Sequence, residues 1–220
     1  MNPRTISHTH DVEIDDALDF IDTFELEHGE PFDHFVQPAD MVSWLHERGL
    51  LHDASLDPDV ARLTKPGPAA NRALDRVRRV RSALRELVDA TVEKRPPAGR
   101  AVEIVNQAMR AHQRLVLVAG DDRVSLDHRH EGDSLDGALA RIAERLAREI
   151  SGDRADRLRI CDNDTCRWVF FDSSPTGRRR WCDMATCGNR AKAARHRARA
   201  RAAEFDTAEV GTARAPVARA

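Results

Sequence analysis

The chain has 220 residues and a formal charge of −2, and it is 41% hydrophobic but only 5% aromatic. This length suffices for one or two domains with a sizeable core, which must be built mainly from Leu, Val, Ile and Ala. The absence of any run of about 20 apolar residues excludes a membrane-spanning helix, and no secretory signal is visible, so we expect a cytoplasmic protein.

The positive charge is concentrated near the C-terminus. Arg outnumbers Lys by 32 to 3, a ratio expected from a GC-rich genome, so arginine content alone does not indicate nucleic-acid binding. Residues 178–201 contain eight Arg and one Lys against one Asp, a formal charge of +8, which leaves −10 on the remainder of the chain. This asymmetry predicts a basic arm on an acidic body.

Hydrophobic periodicity predicts helices through most of the first 150 residues. The predicted helices lie at 15–27, 38–48, 70–92, 101–112 and 134–150, with a short one opening at Asp57-Pro58. A β-hairpin is predicted around Gly120-Asp121-Asp122, with strands at 115–118 and 124–126. Short strands at 157–160 and 168–171 are predicted next.

All four cysteines lie within 27 residues, in two pairs of identical C-x4-C spacing. They are Cys161, Cys166, Cys182 and Cys187. In a reducing compartment, clustered Cys pairs are more often metal ligands than cross-links. Zn²⁺ takes four tetrahedral ligands, and pairs of cysteines in turns can supply two each. The sequence therefore predicts one zinc site per chain, with reduced structural cysteines and two disulfides as alternatives.

A cationic helix is predicted directly after the fourth cysteine. On a helix beginning near Asn189, cations fall on two rows that could contact phosphates, although an exposed face without a ligand is the alternative. Asn189 and Arg190 are the predicted readers of base edges, although Asn189 could instead cap this helix. Gly188 could adopt a positive φ or direct its N–H at a sulfur, or be a plain turn glycine. The candidate DNA-contacting residues are Arg178, Arg179, Arg180, Asn189, Arg190, Lys192, Arg195, Arg197, Arg199 and Arg201.

The cysteine segment, from Arg159-Ile160-Cys161 to Cys187-Gly188-Asn189-Arg190, resembles the CGNR zinc finger. Residues 17–23 and 39–45, followed by Gly49-Leu50, are similar to ABATE, an N-terminal domain described for candidate stress-induced transcription regulators. Asp22 stands where that family usually has Asn. The resemblance implies a zinc cofactor and a role in transcription.

These observations predict an α+β protein in three parts. Residues 1–155 would form a predominantly helical domain with a β-hairpin, 156–203 a small ββα-like zinc-binding module, and 204–220 a disordered tail.

The predicted function is that of a DNA-binding transcription regulator. Its N-terminal domain would sense a small-molecule or protein effector, or form a homodimer. A thiol or zinc redox switch, a protein-interaction module with a structural zinc, and RNA binding are the alternatives. No nucleotide-binding or hydrolase motif occurs, so an enzyme is not predicted. His128-x-His130 could bind a metal but lacks further ligands.

Overall fold

A computed structural model describes residues 12–51, 57–110, 114–119, 124–129 and 134–212, with the backbone alone for 201–212 and for most of 114–119 and 124–129. In chain order the elements are α1 (Ile14–Asp22), β1 (Phe24–Glu27), β2 (Glu30–Asp33), α2 (Pro38–Glu47), α3 (Pro58–Leu63), α4 (Pro68–Glu93), α5 (Gly99–Met109), β3 (Arg114–Ala119), β4 (Val124–Arg129), α6 (Ser134–Ser151), a 3₁₀ turn (Ala155–Arg157), β5 (Leu158–Ile160), β6 (Val169–Phe171), a π turn (Met184–Gly188) and α7 (Asn189–Thr212). The predicted α+β fold, mostly helical and followed by a small strand and helix module, is confirmed.

The residues at its two ends explain where the long helix α4 begins and ends. Pro68 occupies its first turn, where a missing N–H costs nothing. At its end Lys94 adopts the left-handed conformation with φ 54°, and its N–H donates to the carbonyl groups of Ala90 and Thr91. The Pro96-Pro97 pair that follows cannot continue the helix.

The predicted first helix is too long, because α1 ends at Asp22 and a hairpin follows. Phe24 pairs with Asp33 in an antiparallel ladder, and only two residues connect β1 to β2. These residues, His28 and Gly29, both have positive φ, 55° and 93°. A two-residue turn with positive φ at both positions matches the twist of a hairpin, so this turn outweighs the helical spacing of Phe24.

The last helix is longer than predicted. Helix α7 runs to Thr212, beyond residue 204, where the disordered tail was predicted to begin. Its sequence is rich in Ala and Arg and has no Gly or Pro before Gly211, so nothing in it stops a helix earlier. Residues 213–220 lie outside the described residues, as do His8, His10 and His130.

The core lies between α1, α4 and α6, and it continues into β5 and β6. Leu84 of α4 and Ile142 of α6 are fully buried. Leu158, Ile160 and Val169, from β5 and β6, belong to the same continuous cluster. The predicted boundary at residue 155 therefore falls inside one core, and the division into two domains stays a prediction. Among the described helices, none is long and apolar enough to cross a membrane.

Candidate metal centre

The four predicted ligands converge. Cys161 follows β5, Cys166 lies in the turn before β6, and Cys182 and Cys187 lie before and within the π turn. Their Sγ atoms all lie within 4.8 Å of one another. Cys161 and Cys187 are buried, and the other two are half-buried. All four are free thiols, so the alternative of two disulfides is not observed.

The sulfur spacing fits zinc. A tetrahedral Zn²⁺ with Zn–S bonds of about 2.3 Å places its sulfurs about 3.8 Å apart. The Sγ of Cys182 lies 3.7 Å from that of Cys166 and 3.8 Å from that of Cys187. Four cysteine ligands leave no open coordination position, which is typical of a structural site. The four cysteines therefore form a zinc-binding site.

The first ligand turn is built around Asn163. Its backbone carbonyl accepts hydrogen bonds from the N–H groups of Cys166 and Arg167 at 2.8 and 3.0 Å. Its side-chain Oδ1 accepts from the Thr165 hydroxyl at 3.0 Å, and its Nδ2 donates to the Cys187 Sγ at 3.5 Å. Asn163 thus connects the two cysteine pairs. Sequence reasoning missed it, although an Asn two residues before a Thr is a turn signal.

The second ligand turn is capped by Asp183. Its carboxylate accepts hydrogen bonds from the backbone N–H groups of Ala185 and Thr186 at 3.0 and 3.1 Å. Asn189, the predicted cap, instead begins α7 and donates from Nδ2 to the Ala185 carbonyl at 3.0 Å. The side-chain cap therefore lies at Asp183, six residues before Asn189, at the start of the π turn.

Gly188 lies close to two side chains and does not have a positive φ. It lies in the π turn, outside the left-handed region, and its N–H donates to the carbonyl of Asp183 and not to a sulfur. An added Cβ would lie 2.9 Å from the Met184 side chain and 3.3 Å from the Trp181 ring. A side chain at this position would therefore displace Met184 or Trp181.

The thiols differ in acidity. Burial raises the pKa of the Cys161 thiol to about 11. A hydrogen bond with Cys182 lowers the pKa of Cys166 to about 5 and raises the pKa of Cys182 itself. Zinc binds thiolates, so it must displace the protons of Cys161 and Cys182, and its affinity falls at low pH.

The three arginines before Cys182 have different surroundings. Arg179 is half-buried; its Nη2 donates to the Cys182 carbonyl at 2.5 Å, and its guanidinium lies 5.0 Å from the Phe170 ring centroid. Its backbone N–H donates to the buried carboxylate of Asp172 at 2.8 Å. Arg179 therefore stabilises the loop that carries Cys182.

Arg180 and Arg178 are more accessible. The Nε of Arg180 donates to Asp162 at 2.5 Å, and its guanidinium lies 5.2 Å from the Trp181 ring centroid. Arg178 is exposed.

The basic residues of α7 whose side chains are described lie on the surface. Asn189 and the cations from 190 to 199 are all exposed. Arg195 donates from Nε to the carbonyl of Ala191 at 3.4 Å, a contact within the helix. For Arg201 the backbone alone is described. Between residues 189 and 200, where its side chains are described, only Ala191 is half-buried and the rest are exposed. The helix follows directly on the turn that carries Cys187.

The finger is attached to the N-terminal region by polar contacts as well as by the core. The Val169 N–H donates to the buried Asp22 carboxylate at 3.1 Å, and the Trp168 Nε1 donates to Glu25 at 2.5 Å. From α4, Arg85 donates to the Arg167 carbonyl at 3.0 Å. Burial raises the pKa of Asp22 well above its usual value, against the opposing effects of the Val169 N–H and Arg85.

Two family models match the chain. Residues 15–153 match ABATE, described as "Putative stress-induced transcription regulator", and residues 157–200 match the CGNR zinc finger. Both resemblances seen in the sequence are confirmed. Neither description names an enzymatic activity. No curated protein matches the chain.

Proposed function

Because the chain belongs to the ABATE family over more than half its length and carries a CGNR zinc finger, we propose that it is a transcription regulator that binds DNA through α7. In this proposal the zinc is structural, and it fixes the direction in which α7 leaves the protein. Residues 1–155 sense an effector or form a homodimer. Four zinc-bound thiolates are stable in a reducing cytoplasm, which is where the protein would act.

The exposed cationic surface of α7 supports DNA binding most directly. From residue 189 to residue 203 the helix contains no acidic residue. Lys192, Arg195 and Arg199 share one face, while Arg190 and Arg197 lie on another. Within the described part of the chain, none of these five cations forms an ion pair. Such a surface matches the electrostatic footprint of proteins that neutralise phosphates.

The candidate contacts divide into two roles. Lys192, Arg195, Arg197 and Arg199 would contact phosphates, which position a protein without reading sequence. Arg190, the cation nearest the zinc-bound turn, would read a base edge, and its loss should cost about 1–3 kcal/mol at one position of the site. Asn189, the other predicted base reader, donates one amide N–H to the Ala185 carbonyl, and its second N–H and its Oδ1 would contact a base.

Salt-dependent binding tests the proposal. Zinc-loaded full-length protein would be titrated by fluorescence anisotropy against mixed-sequence duplex DNA, between about 50 and 200 mM salt. We expect a variant with Gln at positions 192, 195, 197 and 199 to lose affinity for all sequences and to reduce the salt slope by about one unit per lost contact.

A matched control removes the same charge elsewhere. Gln at Lys65, Arg72, Arg100 and Arg110, which are exposed cations outside the finger, should leave DNA affinity nearly unchanged. An affinity independent of salt, or unaffected by the α7 substitutions while zinc is retained, would reject DNA binding and favour the redox-switch or protein-interaction alternatives. Tighter binding to single-stranded RNA would favour RNA instead.

A further inference from the structure

The β3–β4 hairpin stands apart from the core. Its strands pair with each other from Arg114↔Arg129 to Ala119↔Val124. Among the described elements, neither strand packs extensively against a helix or against another hairpin. A two-stranded hairpin alone is only marginally stable in water, and a further strand or a packed face stabilises it. The hairpin therefore has surface and edges available to another molecule.

Apolar side chains of this hairpin are exposed. Leu117 is 72% exposed and Val124 is 64% exposed, and Ala119 is exposed as well. Ala119 pairs directly with Val124 and lies two residues after Leu117, so the three side chains share one face of the hairpin. Contiguous exposed apolar residues mark interaction surfaces, because their burial removes apolar area from water.

The outer edge of β3 is unprotected. Both strands of this two-stranded sheet have an open edge, where unpaired N–H and C=O groups can pair with another chain. Proteins protect such edges with charged residues or proline. From residue 115 to residue 119, β3 reads Leu-Val-Leu-Val-Ala, without charge or proline. β4 carries Asp127 and Arg129, so β3 is the edge that can accept another strand.

The other described strands are protected or buried. β1 contains Glu25 and Glu27, and β2 contains Pro31. β6 is also uncharged, but its residues Val169 and Phe170 are buried. The unprotected edge of β3 is therefore a local feature of this hairpin and not a general property of the strands in the described chain.

The sequence of β3 suits pairing with its own copy. Two identical strands that pair antiparallel are related by a twofold axis, the symmetry of most dimers. With the axis at Leu117, this residue lies opposite its copy, 116 lies opposite 118, and 115 lies opposite 119, so only apolar residues meet. Arg114 lies six positions from its copy, or about 20 Å, where salt screens the repulsion. Uncharged contacts are typical of interfaces between identical chains.

We propose that β3 is the dimerisation strand of this protein. Two copies pair edge to edge through β3, antiparallel and centred on Leu117, and form one four-stranded sheet with the two β4 strands outside. A five-residue ladder is a small interface, and interfaces below about 1,200 Å² belong to weak complexes. We therefore expect a dissociation constant above about 10 μM, with monomers at low micromolar concentration.

This inference deepens the proposed function, in which residues 1–155 form a homodimer, and rests on that function only for its consequence on DNA. The twofold axis of the sheet relates the two α7 helices to each other. A dimer with this symmetry binds two half-sites of inverted sequence.

Sedimentation velocity of the zinc-loaded full-length protein, without DNA, tests the interface between about 5 and 500 μM. We expect the wild type to shift from monomer to dimer over this range. Leu117→Lys places two cations opposite each other in place of two leucines, so it should weaken dimerisation at least tenfold. Val124→Lys makes the same change in charge at an exposed position on β4 and should leave dimerisation unchanged.

A charge exchange separates loss of the interface from loss of folding. Leu117→Glu alone should also stay monomeric, but an equimolar mixture with Leu117→Lys should form heterodimers at least tenfold more tightly than either variant forms homodimers, because opposite charges then face each other. A wild type that stays monomeric at about 500 μM, an equal loss in Val124→Lys, or no association in the mixture would overturn the proposal. Because DNA is absent, failure of DNA binding would not affect this result.

Discussion

Asn163 holds the two halves of the zinc site together through one side chain. Its Nδ2 donates to the Cys187 sulfur at 3.5 Å, while its Oδ1 accepts from Thr165. Asn163→Asp keeps the acceptor and the shape but replaces the donor with a negative charge beside four thiolates. Groups that bond to metal ligands tune affinity, so we expect about 10- to 100-fold weaker zinc binding, measured by competition with a chromophoric chelator.

The neighbouring acidic residue supplies the control for this experiment. Asp164 is exposed in the same turn, and Asp164→Asn changes the local charge without touching a sulfur. Its zinc affinity should stay within about twofold of the wild type. If Asn163→Asp bound zinc as tightly as the wild type, the amide contact to Cys187 would contribute nothing to the site.

Asp22 makes stability depend on pH. Burial raises its pKa, so the folded state holds this proton more tightly than the unfolded chain does. The stability that Asp22 contributes is full below its unfolded pKa of about 3.9 and is lost as pH rises toward the folded value. Asn does not titrate and can still accept the Val169 N–H. Asp22→Asn should therefore stabilise the protein at pH 7 by about 1 kcal/mol, or about 2–4 °C in Tm.

The pH dependence distinguishes titration of Asp22 from simple repacking around the new side chain. Urea unfolding of zinc-saturated protein should show the advantage of Asp22→Asn growing from about pH 5 to about pH 7. Asp15→Asn, on the exposed side of the same helix, should show a small difference without this trend. A constant advantage for Asp22→Asn across the range would contradict the role of its raised pKa.

At the scale of elements, the π turn that precedes α7 depends on the Asp183 cap. Asp183→Ala removes the acceptor for the N–H groups of Ala185 and Thr186, and should destabilise this turn by about 0.5–2 kcal/mol. Amide hydrogen exchange measured by NMR should be faster at both residues. Asp183→Asn retains a capping oxygen and should exchange nearly as slowly as the wild type. Unchanged exchange at Thr186 in the Ala variant would show that other contacts hold the turn.

The sequence predicted long periodic elements better than short ones. Leu74, Leu84 and Val88 repeat at helical spacing, so α4 was predicted within about two residues at each end. The β1–β2 hairpin was missed because Phe24 continues the apolar face of α1, while the competing turn at His28-Gly29 depends on backbone conformation.

The zinc ligands were predictable because four cysteines clustered in two evenly spaced pairs are typical of a metal site. Their supporting groups were not. Asn163 and Arg179 meet the ligand loops through contacts that only the folded chain brings together, and the polar residues around them offer no periodic signal.

At the scale of the whole molecule, the shared core predicts one cooperative unit. Leu158 lies outside the ABATE match but is only 2% exposed. Leu158→Ala should lower the free energy of unfolding by about 2–5 kcal/mol. Far-UV circular dichroism in urea should report this loss in the main helical transition, because the long helix α4 packs against β5.

An exposed leucine is the control for the core experiment. Leu117 in β3 is 72% exposed, so Leu117→Ala should change stability by less than about 0.5 kcal/mol. If Leu158→Ala left the helical transition in place and shifted only zinc release, the finger would be an independent unit.

The buried face of the β5–β6 hairpin limits how this zinc finger can be inherited. A domain that folds independently has its own core, so recombination can move it between proteins without loss of folding. Here, residues 156–220 transplanted alone would expose Leu158, Ile160 and Val169 to water and separate the Val169 N–H from its acceptor on α1. Under the proposed function, differences in DNA specificity between relatives should therefore arise by changes within α7, while β5 and β6 change together with the surfaces of α1 and α4 that cover them.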